Sequence, residues 1–141
     1  MRTISGALLI ASALLQSAAA APAVTVSDGW MRALPGGLPA GGYFTLHNPT
    51  AKTLTLQSAS SPACGMLMLH KSEMMSGMAS MANVDSIDVK PGGTLEFSPG
   101  GFHLMCMKPA LKAGDKVSVT LHFTGGTRVQ ADFAVRGANG R

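Results

Sequence analysis

The stretch Val84-Asp85-Ser86-Ile87-Asp88-Val89-Lys90-Pro91-Gly92-Gly93-Thr94-Leu95-Glu96-Phe97-Ser98-Pro99-Gly100-Gly101-Phe102-His103-Leu104-Met105-Cys106-Met107-Lys108 decides the fold. It holds three short apolar runs, Val84–Val89, Thr94–Phe97 and Leu104–Lys108, parted by two Pro-Gly-Gly triplets. Proline has no N–H for a helix ladder and glycine accepts turn conformations, so each triplet ends one element and starts another. Outward from this stretch the pattern repeats. Candidate strands are Val24–Ser27, Gly42–Asn48, Thr53–Ala59, Met66–Met74, Lys116–Thr124 and Arg128–Val135. Turns fall at Pro35-Gly36-Gly37, His47-Asn48-Pro49, Lys112-Ala113-Gly114-Asp115 and Gly125-Gly126. No long window carries helix periodicity with caps, and there is no internal repeat or interdomain linker. Many short strands at this spacing predict an all-β, single-domain, two-sheet sandwich or small barrel.

Four residues stand out against this frame: His70, Met81, His103 and Met105. Two imidazoles and two thioethers are a soft, neutral donor set of the kind that suits Cu(I). Strand parity supports the grouping. Met66, Met68 and His70 share one face of a regular strand, and His103, Met105 and Met107 share another. In a His-x-Met pair both side chains point the same way, which lets one strand offer two ligands to one ion. Met81 closes a segment, Met74 to Met81, rich in Met, Ser, Gly and Ala, which reads as a loop able to fold over a metal. Met78 is the best substitute should Met81 not be the ligand.

Methionine is also an adaptable core filler. Met66, Met68 and Met107 are expected to pack the core, as is Met31 beside Trp30. Met74, Met75 and Met78 fit that reading less well, since eight of the ten methionines fall between Met66 and Met107. An oxidisable Met-rich loop calls for a reason such as copper binding or partner contact. His47, at an Asn-Pro turn, and His122, in a strand with no Met near it in sequence, are read as ordinary histidines, although spacing excludes neither.

The start of the chain looks like an export signal. Arg2 precedes an apolar run, Gly6–Leu15, too short to span a bilayer, and small-residue cleavage sites follow between Ser17 and Ala23. Residues 1–21 are therefore expected to be a cleaved signal peptide, 22–136 the domain and 137–141 a disordered tail. No cysteine lies near the cleavage site, so lipid anchoring is not expected. No second run is long enough to span a membrane. The remaining chain, about 120 residues, suffices for one core and is expected to be soluble and periplasmic. The net charge of +4 is spread over scattered Lys and Arg, which gives nucleic-acid binding little support. In an oxidising compartment Cys64 and Cys106 are expected to pair. Regular strands would point them to different faces, unless Gly65 seats a bulge.

The His70, Met81, His103, Met105 spacing resembles, without insertion or deletion, the motif of the periplasmic copper chaperones called PCuAC. Trp30-Met31-Arg32-Ala33 with Gly42-Tyr43-Phe44 looks like that family's opening. Pro91-Gly92-Gly93, Pro99-Gly100-Gly101-Phe102-His103-Leu104-Met105 and Leu111-Lys112-Ala113-Gly114-Asp115 look like its later turns, so the likeness covers Val24 to Val135. The resemblance implies a cupredoxin-like β-sandwich holding one Cu(I) per chain on the four motif residues. It also implies delivery towards the dinuclear copper site in cytochrome c oxidase subunit II, directly or through another assembly chaperone. Cys64 and Cys106 are outside that motif. The His- and Met-rich tail that gives some members an additional copper ion is not found in this sequence, so a single main site in a monomer is expected.

Three other readings use the same residues. A blue-copper electron carrier needs a Cys ligand beside two His and an axial Met, and the order His103, Met105, Cys106 is wrong for it. An enzyme is not expected: there is no C-x-x-C, no G-x-S-x-G and no acidic pair near the histidines. A copper store or scavenger needs the same site as a chaperone, and sequence does not separate the two.

Overall fold

The computed structural model describes residues 23–141; the expected signal peptide, residues 1–21, lies outside them. Ten strands form: β1 Thr25–Arg32, β2 Ala40–His47, β3 Leu54–Ser60, β4 Cys64–Met75, β5 Met78–Asn83, β6 Ile87–Val89, β7 Thr94–Phe97, β8 Phe102–Pro109, β9 Lys116–Phe123 and β10 Arg128–Arg136. The hydrogen-bonded order is β5-β4-β8-β2-β1-β10-β9-β3-β6, with β7 pairing the second half of β2. All the mapped pairings are antiparallel except β1 with β10. The path folds over on itself so that β3 packs near β4, giving the sandwich the alternating pattern predicts. The only helical pieces among the described residues are two one-turn 3-10 segments, at Pro35–Gly37 and Thr124–Gly126.

Alternation explains the core. Leu67 and Leu69 of β4 and Leu104 and Cys106 of β8 point inward, and Phe44, Phe97 and Phe133 meet between the layers. The Phe44 ring lies 4.4 Å from Phe97 and 5.7 Å from Phe133, within the range where aromatic pairs attract. Met31 is fully buried, as expected. Beyond β10, residues 137–141 form a turn closed by Gly137 N–H donating to the Arg141 carbonyl at 2.7 Å.

Three features depart from the sequence reading. β1 runs on to Arg32 instead of stopping at Ser27. Asp28 adopts φ 55 and seats a bulge, shifting the register with β2 between Ser27 and Trp30. The Met74–Met81 segment is not a loop. Ser76 and Gly77, at φ 51 and 78, form the tight left-handed turn that joins β4 to β5, with Met75 opposite Met78. Met66, Met68 and Met107 do not fill the core. They lie on the opposite face of β4 and β8 from Leu67 and Cys106, and Met66 is 58% exposed.

A disulfide joins Cys64 and Cys106, whose Cα atoms are 5.4 Å apart. The parity conflict is resolved at an irregularity. Gly65 and Lys108 are left out of the regular β4–β8 pairing, and Lys108 sits at φ 49. An added Cβ on Gly65 would come within 3.1 Å of the Lys108 Cβ, so the residue best suited to this close approach occupies the kink.

Asn48, which the sequence marks only as a turn residue, is a fully buried latch. Its Nδ2 donates to the carbonyls of Lys52 (2.8 Å), Val89 (2.9 Å) and Lys90 (3.2 Å), and its Oδ1 accepts from Thr50 N–H and Oγ1–H. Asn48→Ala strips partners from several shielded groups at once. It is expected to cost about 3 kcal/mol, read as a melting temperature lowered by roughly 10 °C or more. A shift of only a degree or two would show that water replaces the latch.

Candidate metal centre

The outer face of β4, β8 and β5 carries the chemistry. Register places side chains of β4 and β8 in successive rows on that face: Met66 opposite Met107, Met68 opposite Met105, His70 opposite His103. On β5, Met81 lies opposite Ser72, the next outward residue after His70. The four residues singled out by spacing are thus gathered at one end of a single surface. His47 and His122 are elsewhere. His47 Nδ1 is bonded to Thr94 Oγ1 at 3.1 Å and His122 Nε2 to Ser60 Oγ at 2.8 Å.

The imidazoles of His70 and His103 stand edge-on, with centroids 5.6 Å apart and planes at 75°. His103 is 4% exposed. Its Nδ1 meets the Gly101 carbonyl at 3.2 Å. A carbonyl only accepts, so this contact places the proton on Nδ1 and leaves the Nε2 lone pair available. That Nε2, and both ring nitrogens of His70, are buried without a hydrogen-bond partner. Buried polar atoms are normally satisfied, so three orphaned nitrogens on two adjacent rings mark a place made for a ligand.

Burial, and then the neighbouring His103, hold the His70 pKa below the ordinary imidazole value of 6.5; a contact with the Asn83 side chain, outside hydrogen-bond geometry, works the other way. The neutral, lone-pair-bearing form is therefore favoured in the folded protein. The unfolded chain binds the proton more readily than the folded one. The stability linked to His70 is thus fully present above pH 6.5 and is lost as pH falls through that value towards the lowered one. The metal-free protein is expected to become less stable over this interval, and His70→Asn to flatten the decline. An unchanged slope in denaturant titrations would count against the assignment.

Met81, His103 and Met105 line one cavity of about 320 Å³, together with Arg32, Gly41 and Tyr43. Gly41 lies between Met105 and Arg32 in one lateral row running Met68, Met105, Gly41, Arg32, Arg136 across five strands. Its missing side chain opens the space. The Tyr43 hydroxyl fills part of it and would lie 2.5 Å from an added Cβ. Arg32 stacks on Trp30 and Tyr43 at 5.2 and 5.6 Å, a cation–π arrangement that fixes a positive charge in the cavity wall. Sequence reasoning missed this wall, because its members meet only through the β2–β1 register. Met81 is 61% exposed, so the four residues range from a shielded imidazole to a solvent-facing thioether. Among the described residues no three His, Cys, Asp or Glu side chains come together; the cluster is one of nitrogen and thioether sulfur. With Cys106 tied in the disulfide, the thiolate that a blue-copper site requires is not available.

Comparison with known proteins agrees with the architecture. "Putative lipoprotein Lxx21020" of Leifsonia xyli subsp. xyli (strain CTCB07) is 33% identical over 123 residues, covering 85% of this chain and 74% of that protein. The copper-bound PCuAC domain from PmoF2 superposes with a TM-score of 0.67 at 22% identity, covering 84% of this chain and 97% of that domain. The apo solution structure of DR1885 from Deinococcus radiodurans does so at 0.63 and 29% identity, covering 100% and 97%; its CuI form gives 0.63 at 28% identity, covering 77% and 75%. The family model described as "LpqE-like: Putative lipoprotein LpqE-like" matches residues 24–135. The chain has the PCuAC fold, and it belongs to the LpqE-like family.

Proposed function

We propose that this protein is a carrier of Cu(I), holding one ion on His70, Met81, His103 and Met105 and surrendering it to an acceptor. The observation that carries the reading is the pair of facing imidazoles with orphaned nitrogens beside two thioethers on one surface. All four donors are neutral, which suits a soft monovalent ion. DR1885, which is related at 28% identity, has been solved in a CuI form, and that likeness approaches the identity of the curated relative.

The site is built to release its ion as well as to hold it. Thioethers bind more weakly than thiolates. The fixed Arg32 charge in the same cavity disfavours any extra cation and favours the approach of an anionic donor. An acceptor presenting thiolates can draw the ion away through shared-ligand intermediates. Met81, the most exposed of the four, is the first ligand to let go. Met81→Ala is expected to speed transfer to a thiolate-bearing acceptor peptide several-fold and to weaken binding about tenfold, roughly 1.4 kcal/mol. Transfer no faster than in the parent would end the proposed leaving order.

In this reading the protein is a binding protein rather than an enzyme. It acts as a monomer, exported with its signal peptide removed, and works in the periplasm. Its recipient is the copper site of cytochrome c oxidase subunit II or another assembly chaperone. A store or scavenger shares the same site; the transfer assay separates them, since a store retains copper when the acceptor is added. The test of the site itself is an anaerobic titration against a chromogenic Cu(I) chelator beside the Met81→Ala, Met105→Ala double variant. One equivalent bound tightly and lost in the variant supports the reading. No competition, or none lost, removes it.

A further inference from the structure

Below the imidazole pair the outer face continues with methionines that the proposed site does not use. Met66 lies directly opposite Met107, and Met68, two residues along β4, shares their face. These three side chains line a separate cavity of about 280 Å³, bordered by Gly65 and Lys108. None belongs to the hydrophobic core.

We propose that Met66, Met68 and Met107 form a second Cu(I) station, made of thioethers alone, one step along the strands from the imidazole pair. Three polarizable, neutral sulfurs facing one space are a donor set that selects Cu(I) over harder ions. Their flexible side chains can close around an ion without moving the backbone. The station is the weaker of the two: it lacks imidazole, and Lys108, which borders it, brings a positive charge that disfavours a cation. Successive rows on one strand face are roughly 7 Å apart. Met68 of the second station lies in the same row as Met105 of the first, so an ion can move from one to the other by exchanging one thioether at a time. The metal stays Cu(I) throughout. Thioethers carry no proton, so the exchange moves neither electrons nor protons.

The test is an anaerobic Cu(I) titration of the full domain, read both by chelator competition and by the methionine methyl resonances. Wild-type protein is expected to bind two equivalents, the second at least about tenfold more weakly, and the second should shift the Met66, Met68 and Met107 methyls. The Met66→Leu, Met68→Leu, Met107→Leu variant keeps similar volume at half-exposed positions and should bind one equivalent. A His70→Ala, His103→Ala variant should lose the tight equivalent and keep the weak one, equally at pH 7 and pH 5. That result also distinguishes the two stations: loss of tight binding alone would leave the thioether station standing. A single equivalent in wild type, or a second one that shifts the Met74, Met75 and Met78 methyls instead, overturns the proposal. The wild-type methyl shifts decide the matter even should the triple variant fold poorly.

Discussion

His103→Ala should lower Cu(I) affinity by about a thousandfold, roughly 4 kcal/mol, with folding stability changed by no more than about 1 kcal/mol. The two effects separate because His103 is shielded but belongs to the outer face, beside His70 and the cavity, and not to the aromatic and aliphatic core. Its carbonyl contact at Gly101 sets the ring so that Nε2, buried and without a partner, is left as a lone-pair donor. The matched control is His122→Ala. That ring is engaged with Ser60, so its loss should leave copper affinity unchanged. Chelator competition under anaerobic conditions reads both variants. A loss smaller than tenfold in His103→Ala, or an equal loss in His122→Ala, would remove the imidazole pair from the site.

The second large effect belongs to the disulfide. Cys64 and Cys106 are separated by 42 residues in sequence, and opening a loop of that length relaxes the unfolded chain by an amount worth about 4 kcal/mol in the chain-entropy account. Cys64→Ala with Cys106→Ala should therefore lower the urea midpoint strongly without altering the strand content. The bridge also fastens β4 to β8, the two strands that carry His70 and His103. Once freed, the ladder between them should breathe, and copper should exchange faster even under conditions where the variant remains folded. A midpoint shift worth less than about 1 kcal/mol would mean that the β4–β8 hydrogen bonds already hold the strands in place.

Much of this was legible in residue order. Pro-Gly-Gly triplets and alternating runs located most of the strands, and the sandwich followed. The His-x-Met parity placed His103 and Met105 on one face, as β8 has them. The illegible parts share one cause: they depend on which strand lies beside which. The segment from Met74 to Met81 lacks alternation, so nothing local marked a strand. Pairing with β4 supplied one through the Ser76–Gly77 turn. Met66, Met68 and Met107 looked like core residues by type, yet parity with His70 and His103 turned them outward. Arg32 and Gly41, facing one another beside the β1–β2 connection, reach Met105 only through the β2–β8 pairing.

The position of β1 governs when folding can finish. It lies between β2 and β10, and its parallel neighbour β10 is the last strand of the chain. Parallel pairing of the two ends is the longest loop closure the topology contains, and such distant contacts form late. A nascent chain that still lacks residues 128–136 leaves β1 and β9 each without a flanking partner and Phe133 missing from between the layers. Such a chain stays open until β10 has been made. His70, Met81, His103 and Met105 lie on β4, β5 and β8, so all four are made before the strand that locks the sandwich around the layer beneath them.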